Sequence, residues 1–316
     1  LLLPSVREKP HRNAEKPRTV IENMDRIVTA TAARGTVSLV AGITTTLVSE
    51  AQHRHDVAPT SSAAVGRLIT AAALLGTSLR GRERLTLRIA GDGPIGAIAA
   101  DAWSAGDGIV GARAYARNPF ADLPLNARGK FDVAGVVGSG SLQVTKTYEV
   151  GQPYVGIVPL ASGEIGDDVA AYLANSEQIP SIVALGVLAD PGGIRAAGGI
   201  IAQVMPGADD ATVVALERAA AAMAPVTTQI DAGADPEALV RAVAGELEPK
   251  VLSSLQVVFD CLCTREKVET ALLGLGRDEL AKIAREQPTT EARCEFCAKS
   301  YVLSADEVSA LGERLA

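Results

Sequence analysis

Four cysteines in two close pairs constrain this chain more than any other feature. Cys261-Leu-Cys263 is followed downstream by Cys294-Glu-Phe-Cys297, and no other cysteine occurs in the 316 residues. Two thiol pairs at such spacings read as a four-thiolate tetrahedral zinc site. In an extended segment alternate side chains share a face, so Cys261 and Cys263 present both sulfurs on one side. Cys294 and Cys297 need a turn instead, the knuckle of a CxxC motif. Together the four fill every tetrahedral position and leave none open to water or substrate, which points away from catalytic zinc. The competing readings are four unrelated buried cysteines, or thioredoxin-like chemistry. The latter motif belongs at a helix start in a βαβ unit and has no use for a partner CxC.

Composition narrows the remaining classes. Apolar residues make up 47% of the chain but aromatics only 3%, so the core must be built from Ala, Val, Leu and Ile. A net charge of -7 and a pI near 5.2 leave no basic face for phosphate neutralisation, so no nucleic-acid partner is expected. The longest apolar candidate, Leu68 to Leu79, is interrupted by Thr70, Gly76, Thr77 and Ser78 and is too short to span a bilayer. The expectation is a soluble protein without a membrane partner, in a reducing compartment where thiols stay available for metal.

Residues 1–19, with three prolines and five Lys/Arg against two Glu, read as a disordered basic tail. The start at Leu1 is read as a removed presequence or a trimmed chain. Thr36 to Val48 reads as a strand, and Ser62 to Leu79 as a buried helix. Leu85, Leu87 and Ile89 alternate with Thr86 and Arg88, a half-buried strand, and Asp92-Gly93 then signals a hairpin turn. Gly91, Gly93 and Gly96 satisfy the GxGxxG pattern of a dinucleotide loop. Pro94 removes an N–H that a phosphate would use and no basic residue follows, so the turn is preferred. Gly138-Ser-Gly140, between Val133–Val137 and Leu142–Val144, reads as a second hairpin. Ile165 to Ser176 is predicted helical, with Val169, Tyr172 and Leu173 on one side and Asp167 and Asp168 near its N-terminus. Strands are predicted from Ser181 to Leu188 and from Ile200 to Met205. The sum is an α+β core domain with antiparallel strands, over residues 20–207.

Residues 208–249 show two Ala-rich helical patterns separated by Pro225 and the Asp231–Asp235 break, with Asp235 as N-cap and Pro236 at the first helical position. The second stripe is thin, chiefly Leu239, Val243 and Leu247. Such helices are either weakly held or an ordinary connector, and the residues do not choose between the two. Val251 to Phe259 reads as a strand leading to Cys261. Thr264 caps a helix to Leu273, Asp278 to Gln287 forms another, and Ser304-Ala-Asp-Glu307 is a capping box opening the last. A module of about sixty residues with so little core is expected to need metal to fold. His11 lies in the tail. His53 and His55 form an HxH pair that reads as a polar loop in preference to a metal site. No GxSxG, HExxH or Walker loop is present, so the chain is not expected to be an enzyme.

Phe259-Asp-Cys261-Leu-Cys263-Thr-Arg-Glu, Leu275-Gly276, Glu279-Leu280 and Cys294-Glu-Phe-Cys297 with Tyr301 resemble the redox-switch module of the heat shock protein 33 family of chaperones. Gly66-Arg-Leu68, Gly91-Asp-Gly-Pro94, Ser176-Glu-Gln-Ile-Pro180, Ala197-Gly-Gly199, Gln203 and Pro206 extend the resemblance through most of the chain. Ala298 stands where many relatives have glycine, and Ser38 where many have arginine. The resemblance implies an ATP-independent holdase, inactive while reduced Cys261, Cys263, Cys294 and Cys297 hold one zinc. It implies activation by peroxide with unfolding stress, or by hypochlorous acid, with zinc release and disulfides pairing Cys261 with Cys263 and Cys294 with Cys297. Four cysteines by themselves allow three connectivities. It further implies a metastable linker at 208–257, a zinc-binding switch domain at 258–316, unfolded client proteins as partners, transfer to an ATP-dependent foldase, and a homodimer as a form open to the oxidised protein. The alternative is a structural zinc ribbon that docks a partner without redox switching. Segments 126–132 and 162–168 resemble the cyanobacterial and plastid branch, and Met24 falls near where bacterial members begin. The chloroplast stroma is therefore the expected compartment, with bacterial cytoplasm as the alternative.

Overall fold

The structure, a computed structural model, describes residues 25–315. The tail expected at 1–19, with His11, and Met24 lie outside the described residues. Strands β1 (Arg26–Ala32) and β2 (Val37–Ile43) form an antiparallel pair. The strand expected to run on to Val48 stops at Ile43, because α1 (Thr45–His55) begins there. What ends it is tertiary: the Asp25 carboxylate accepts the backbone N–H of Thr46 at 3.1 Å and Leu47 at 2.6 Å, capping α1 from outside its own sequence. Burial pushes the Asp25 carboxyl up to about 6 even though these N–H groups pull it down.

α2 (Pro59–Leu75) buries fourteen of its seventeen residues and is the axis around which the sheet curls. It packs against strands from both halves of the sheet, and small residues make this possible. A Cβ on Gly66 would lie 2.6 Å from Val48 Cγ1 and 2.7 Å from Val187 Cγ2.

The meander β3 (Arg84–Gly91), β4 (Ala97–Gly106) and β5 (Ile109–Ala116) follows α2. The Asp92-Gly93 turn joins β3 to β4 as the sequence predicts. The segment Val133–Val137, read as a strand, is instead the short helix α3. The Asp132 side chain caps it by accepting Gly135 N–H. Gly138–Gly140 is therefore a helix-to-strand passage into β6 (Gly140–Thr147), not a hairpin. A five-residue apolar run carries no period that separates helix from strand, and the cap decided it.

β7 (Tyr154–Pro159), α4 (Gly166–Asn175), β8 (Ser181–Asp190) and β9 (Gly193–Val204) complete the core pattern. The ten strands then lie in the order β7-β6-β3-β4-β5-β10-β1-β2-β9-β8, where β10 is Lys250–Phe259. Every pairing is antiparallel except β10 with β5. The strand that the sequence reading groups partly with the linker thus joins the two halves of the sheet. It leads straight into Cys261.

Between β9 and β10 run α5 (Asp210–Ala222), α6 (Val226–Asp231) and α7 (Pro236–Ala244), three helices where two patterns were read. They cover the outer face of β1, β2 and β9. α7 is well seated, with Leu239, Val240 and Val243 buried against Val28, Leu39 and Ile200, and Arg26 paired bidentately with Glu237. α5 buries only Leu216, worth roughly 2 kcal/mol of apolar transfer, and is the lightly held element of the segment. No helix among the described residues is long and apolar enough to cross a membrane.

Candidate metal centre

The C-terminal module consists of α8 (Arg265–Leu273), α9 (Arg277–Glu286), the hairpin β11 (Thr289–Arg293) with β12 (Ser300–Ser304), and α10 (Ala305–Glu313). Thr264 caps α8 through its hydroxyl, and Ser304 with Glu307 forms the predicted capping box on α10. The module's own apolar cluster is small, with Leu280, Leu303, Val308 and Leu311 buried together; Cys297 and Tyr301 are buried beside the thiols.

The hairpin connection carries the knuckle. Cys294 N–H donates to Lys299 O and Ala298 N–H donates to Cys294 O, closing a tight turn that puts Cys294 and Cys297 on one side. Ala298 sits at φ 58, the left-handed region that glycine occupies without cost.

All four Sγ atoms lie within 4.8 Å of one another, with Cys261 Sγ 3.8 Å from Cys294 Sγ and Cys263 Sγ 3.4 Å from Cys297 Sγ. Sulfurs at the corners of a tetrahedron with Zn–S bonds of about 2.3 Å are about 3.8 Å apart, so the donor set fits a closed thiolate site. The thiols are free, and their separations are far beyond the roughly 2.05 Å of a disulfide. Burial opposes ionisation of Cys263, yet hydrogen bonds from the Tyr301 hydroxyl and the neighbouring thiols bring it down to about 7. Burial pushes the Cys261 thiol up, with Arg113 pulling the other way.

The cluster faces the core. Arg113 on β5 is held by Asp101 through Nε at 3.0 Å and Nη2 at 2.6 Å, and its remaining Nη1 donates to Cys261 Sγ at 3.4 Å. Its guanidinium lies 3.8 Å from the Phe296 ring centroid, and Tyr115 meets the same ring edge-on at 4.8 Å. From α1, His55 Nε2 donates to Phe296 O at 3.0 Å and Arg54 to Cys297 O at 3.4 Å.

The polar loop expected at His53 and His55 is therefore the last turn of a helix. His55 serves the knuckle's backbone, and neither histidine joins the cysteine cluster. Burial and the nearby Arg293 and Arg54 push His55 below its ordinary range although Phe296 O favours the charged form. The GxGxxG candidate is closed to phosphate: Gly91 N–H donates to Gly96 O, Asp92 N–H to Ser139 O and Gly93 N–H to Val137 O. Asp101, Arg113, Tyr115 and Arg54 were not read from the sequence. Only Phe296, inside the CxxC motif, carried a signal.

An α+β core bearing a module whose four thiols converge at metal-ligand spacing defines a protein of the four-thiol-cluster class. The chain matches the family model described as Hsp33 protein over residues 25–304. It is 43% identical to the 33 kDa chaperonin of Bacillus licheniformis over 294 residues, 92% of this chain and 100% of that one. It is 44% identical to the 33 kDa chaperonin of Staphylococcus aureus, over 92% of this chain and 99% of the relative. The crystal structure of the 33 kDa chaperonin (heat shock protein 33 homolog) from Thermotoga maritima superposes with a TM-score of 0.85 at 34% identity, covering 92% and 99% of the two chains. The chain belongs to the Hsp33 family of chaperones.

Proposed function

We propose that this protein is an ATP-independent holdase, inactive while Cys261, Cys263, Cys294 and Cys297 are reduced and hold one zinc ion, and activated by their oxidation. The observation that carries the reading is the convergence of all four sulfurs within 4.8 Å with no position left over for substrate. Zinc bound there would fix the four thiolates and supply folding free energy to a module whose own apolar cluster buries four side chains.

Thiolates are at once the metal ligands and the oxidisable groups. Each thiolate pair gives two electrons to one peroxide, which takes up two protons from solvent and leaves as two waters while an S–S bond forms. The family pattern pairs Cys261 with Cys263 and Cys294 with Cys297. A sulfur in a disulfide is no longer an anionic ligand, so the module loses its cross-link. β10 and the lightly held α5 then open, exposing apolar surface to unfolded clients, which pass later to an ATP-dependent foldase. Homodimerisation of the oxidised form belongs to the same proposal.

Free thiols call for a reducing compartment. The relatives named above are bacterial, which supports bacterial cytoplasm more than the plastid stroma expected from the sequence.

The test measures zinc content, thiol count and suppression of client aggregation on the same samples, before and after peroxide at raised temperature. Loss of one zinc and four thiols together with a gain of holdase activity is the expected result. Zinc that stays bound, or leaves with no gain in client binding, refutes the switch and favours a structural ribbon.

A further inference from the structure

Phe296 lies between two cysteines yet is absent from the module's own apolar cluster of Leu280, Leu303, Val308 and Leu311. Its ring points the other way, onto the core. β5 places Arg113 and Tyr115 two residues apart, hence on one face of the sheet, and both meet that ring. The side chains of Asp101 and Arg113 are only 5% and 10% exposed, so the guanidinium is fixed in place, with Thr86 donating to the second Asp101 oxygen at 2.7 Å. Arg113 therefore has one free edge and one free face. The edge donates to Cys261 Sγ and the face stacks on Phe296, so a single core residue touches both cysteine pairs. Two consecutive carbonyls at the end of the knuckle, Phe296 O and Cys297 O, are held by His55 and Arg54.

From this we infer that Phe296 is the latch that docks the cysteine module on the sheet, and that Arg113 is its seat and the residue through which the core senses both cysteine pairs. The docked geometry needs the knuckle turned as it is here, with Cys294 N–H on Lys299 O and the Phe296 ring outward. Joining Cys294 to Cys297 pulls sulfurs three residues apart to bonding distance and reshapes the turn that carries Phe296 and Cys297, whose ring and carbonyls dock. Converting Cys261 to a disulfide also removes the sulfur charge that the free edge of Arg113 faces. Both changes act on one residue, and the module leaves the sheet as a unit. The trigger rests on the redox reading above; the docking contact does not.

The test uses the full chain, reduced and zinc-loaded, with the variants Phe296→Ala and Arg113→Lys. The lysine keeps a charge for Asp101 and loses the flat face that stacks on Phe296. Hydrogen exchange is followed in α1, β5, β10 and the knuckle, zinc content is measured alongside, and the single tryptophan, Trp103, 5.5 Å from Arg113, reports the seat by fluorescence. Each variant is expected to keep one zinc; Phe296→Ala should raise the undocked population roughly thirtyfold, the combined weight of a desolvated cation–π contact and an edge-to-face pair, and Arg113→Lys roughly fivefold, since the Tyr115 pair remains. Unchanged exchange with zinc retained overturns the inference. If Phe296→Ala loses zinc, Tyr115→Ala, outside the module, decides by the same criterion. In the same experiment the oxidised parent protein is assayed for client binding. Its failure there would sink the redox-chaperone reading while the exchange data still judge the latch.

Discussion

Removing zinc without oxidising a single thiol should unfold the C-terminal module and leave the core standing. The magnitude follows from what holds each part. The four buried side chains of the module's apolar cluster contribute roughly 6–12 kcal/mol of gross apolar transfer at about 1.5–3 kcal/mol each. A structural four-ligand zinc supplies about 10–16 kcal/mol, comparable to or larger than the contribution of that apolar cluster, so losing it should leave the module unable to hold its fold. The core has no such dependence, because α2 alone buries fourteen residues. The assay is hydrogen exchange by mass spectrometry on the full chain, with a chelator and a phosphine reductant that keeps all four thiols reduced. Protection in α8, α9, β11, β12 and α10 should collapse while β3, β4 and α2 keep theirs. Persistent protection of α9 and α10 in the zinc-free reduced protein would refute the reasoning, since the module would then fold on its small apolar cluster.

Two substitutions test local geometry. Gly91→Ala places a Cβ 2.0 Å from Val137 O, a backbone atom that cannot swing aside, so the core should lose more than about 4 kcal/mol in denaturant unfolding. Stability within about 1 kcal/mol of the parent would contradict the packing of that turn. Ala298→Gly should stabilise the zinc-loaded module by roughly 0.5–1 kcal/mol, the left-handed strain relieved less the added freedom of the unfolded chain. A chelator titration followed by circular dichroism reads it, and a lower midpoint for the variant would count against the strain.

The metal centre was legible because it is local. Cys261-Leu-Cys263 and Cys294-Glu-Phe-Cys297 mark, by type and spacing alone, the four thiols that converge, and the caps at Thr264, Ser304 and Asp235 act within one turn of their own residues. The β3–β4 turn was legible for the same reason. Much of the rest was not. Ala97 to Ala116 is rich in Ala and Gly and carries little strand propensity, yet it forms β4 and β5, because burial against α2 overrides intrinsic preference. Thr44 to Val48 looked like strand continuing, and only Asp25, distant in sequence, turns it into helix.

By itself, then, the sequence determined the four-thiol centre, the α+β class and the order of most elements, all consequences of residue chemistry at short range. Tertiary structure alone decided that β10 stands between the two halves of the sheet, in parallel with β5. That placement delivers Cys261 to Arg113 and seats Phe296 against the core. Strand order is set by which faces bury against α2 and by backbone pairing across more than a hundred residues, and no local pattern encodes either.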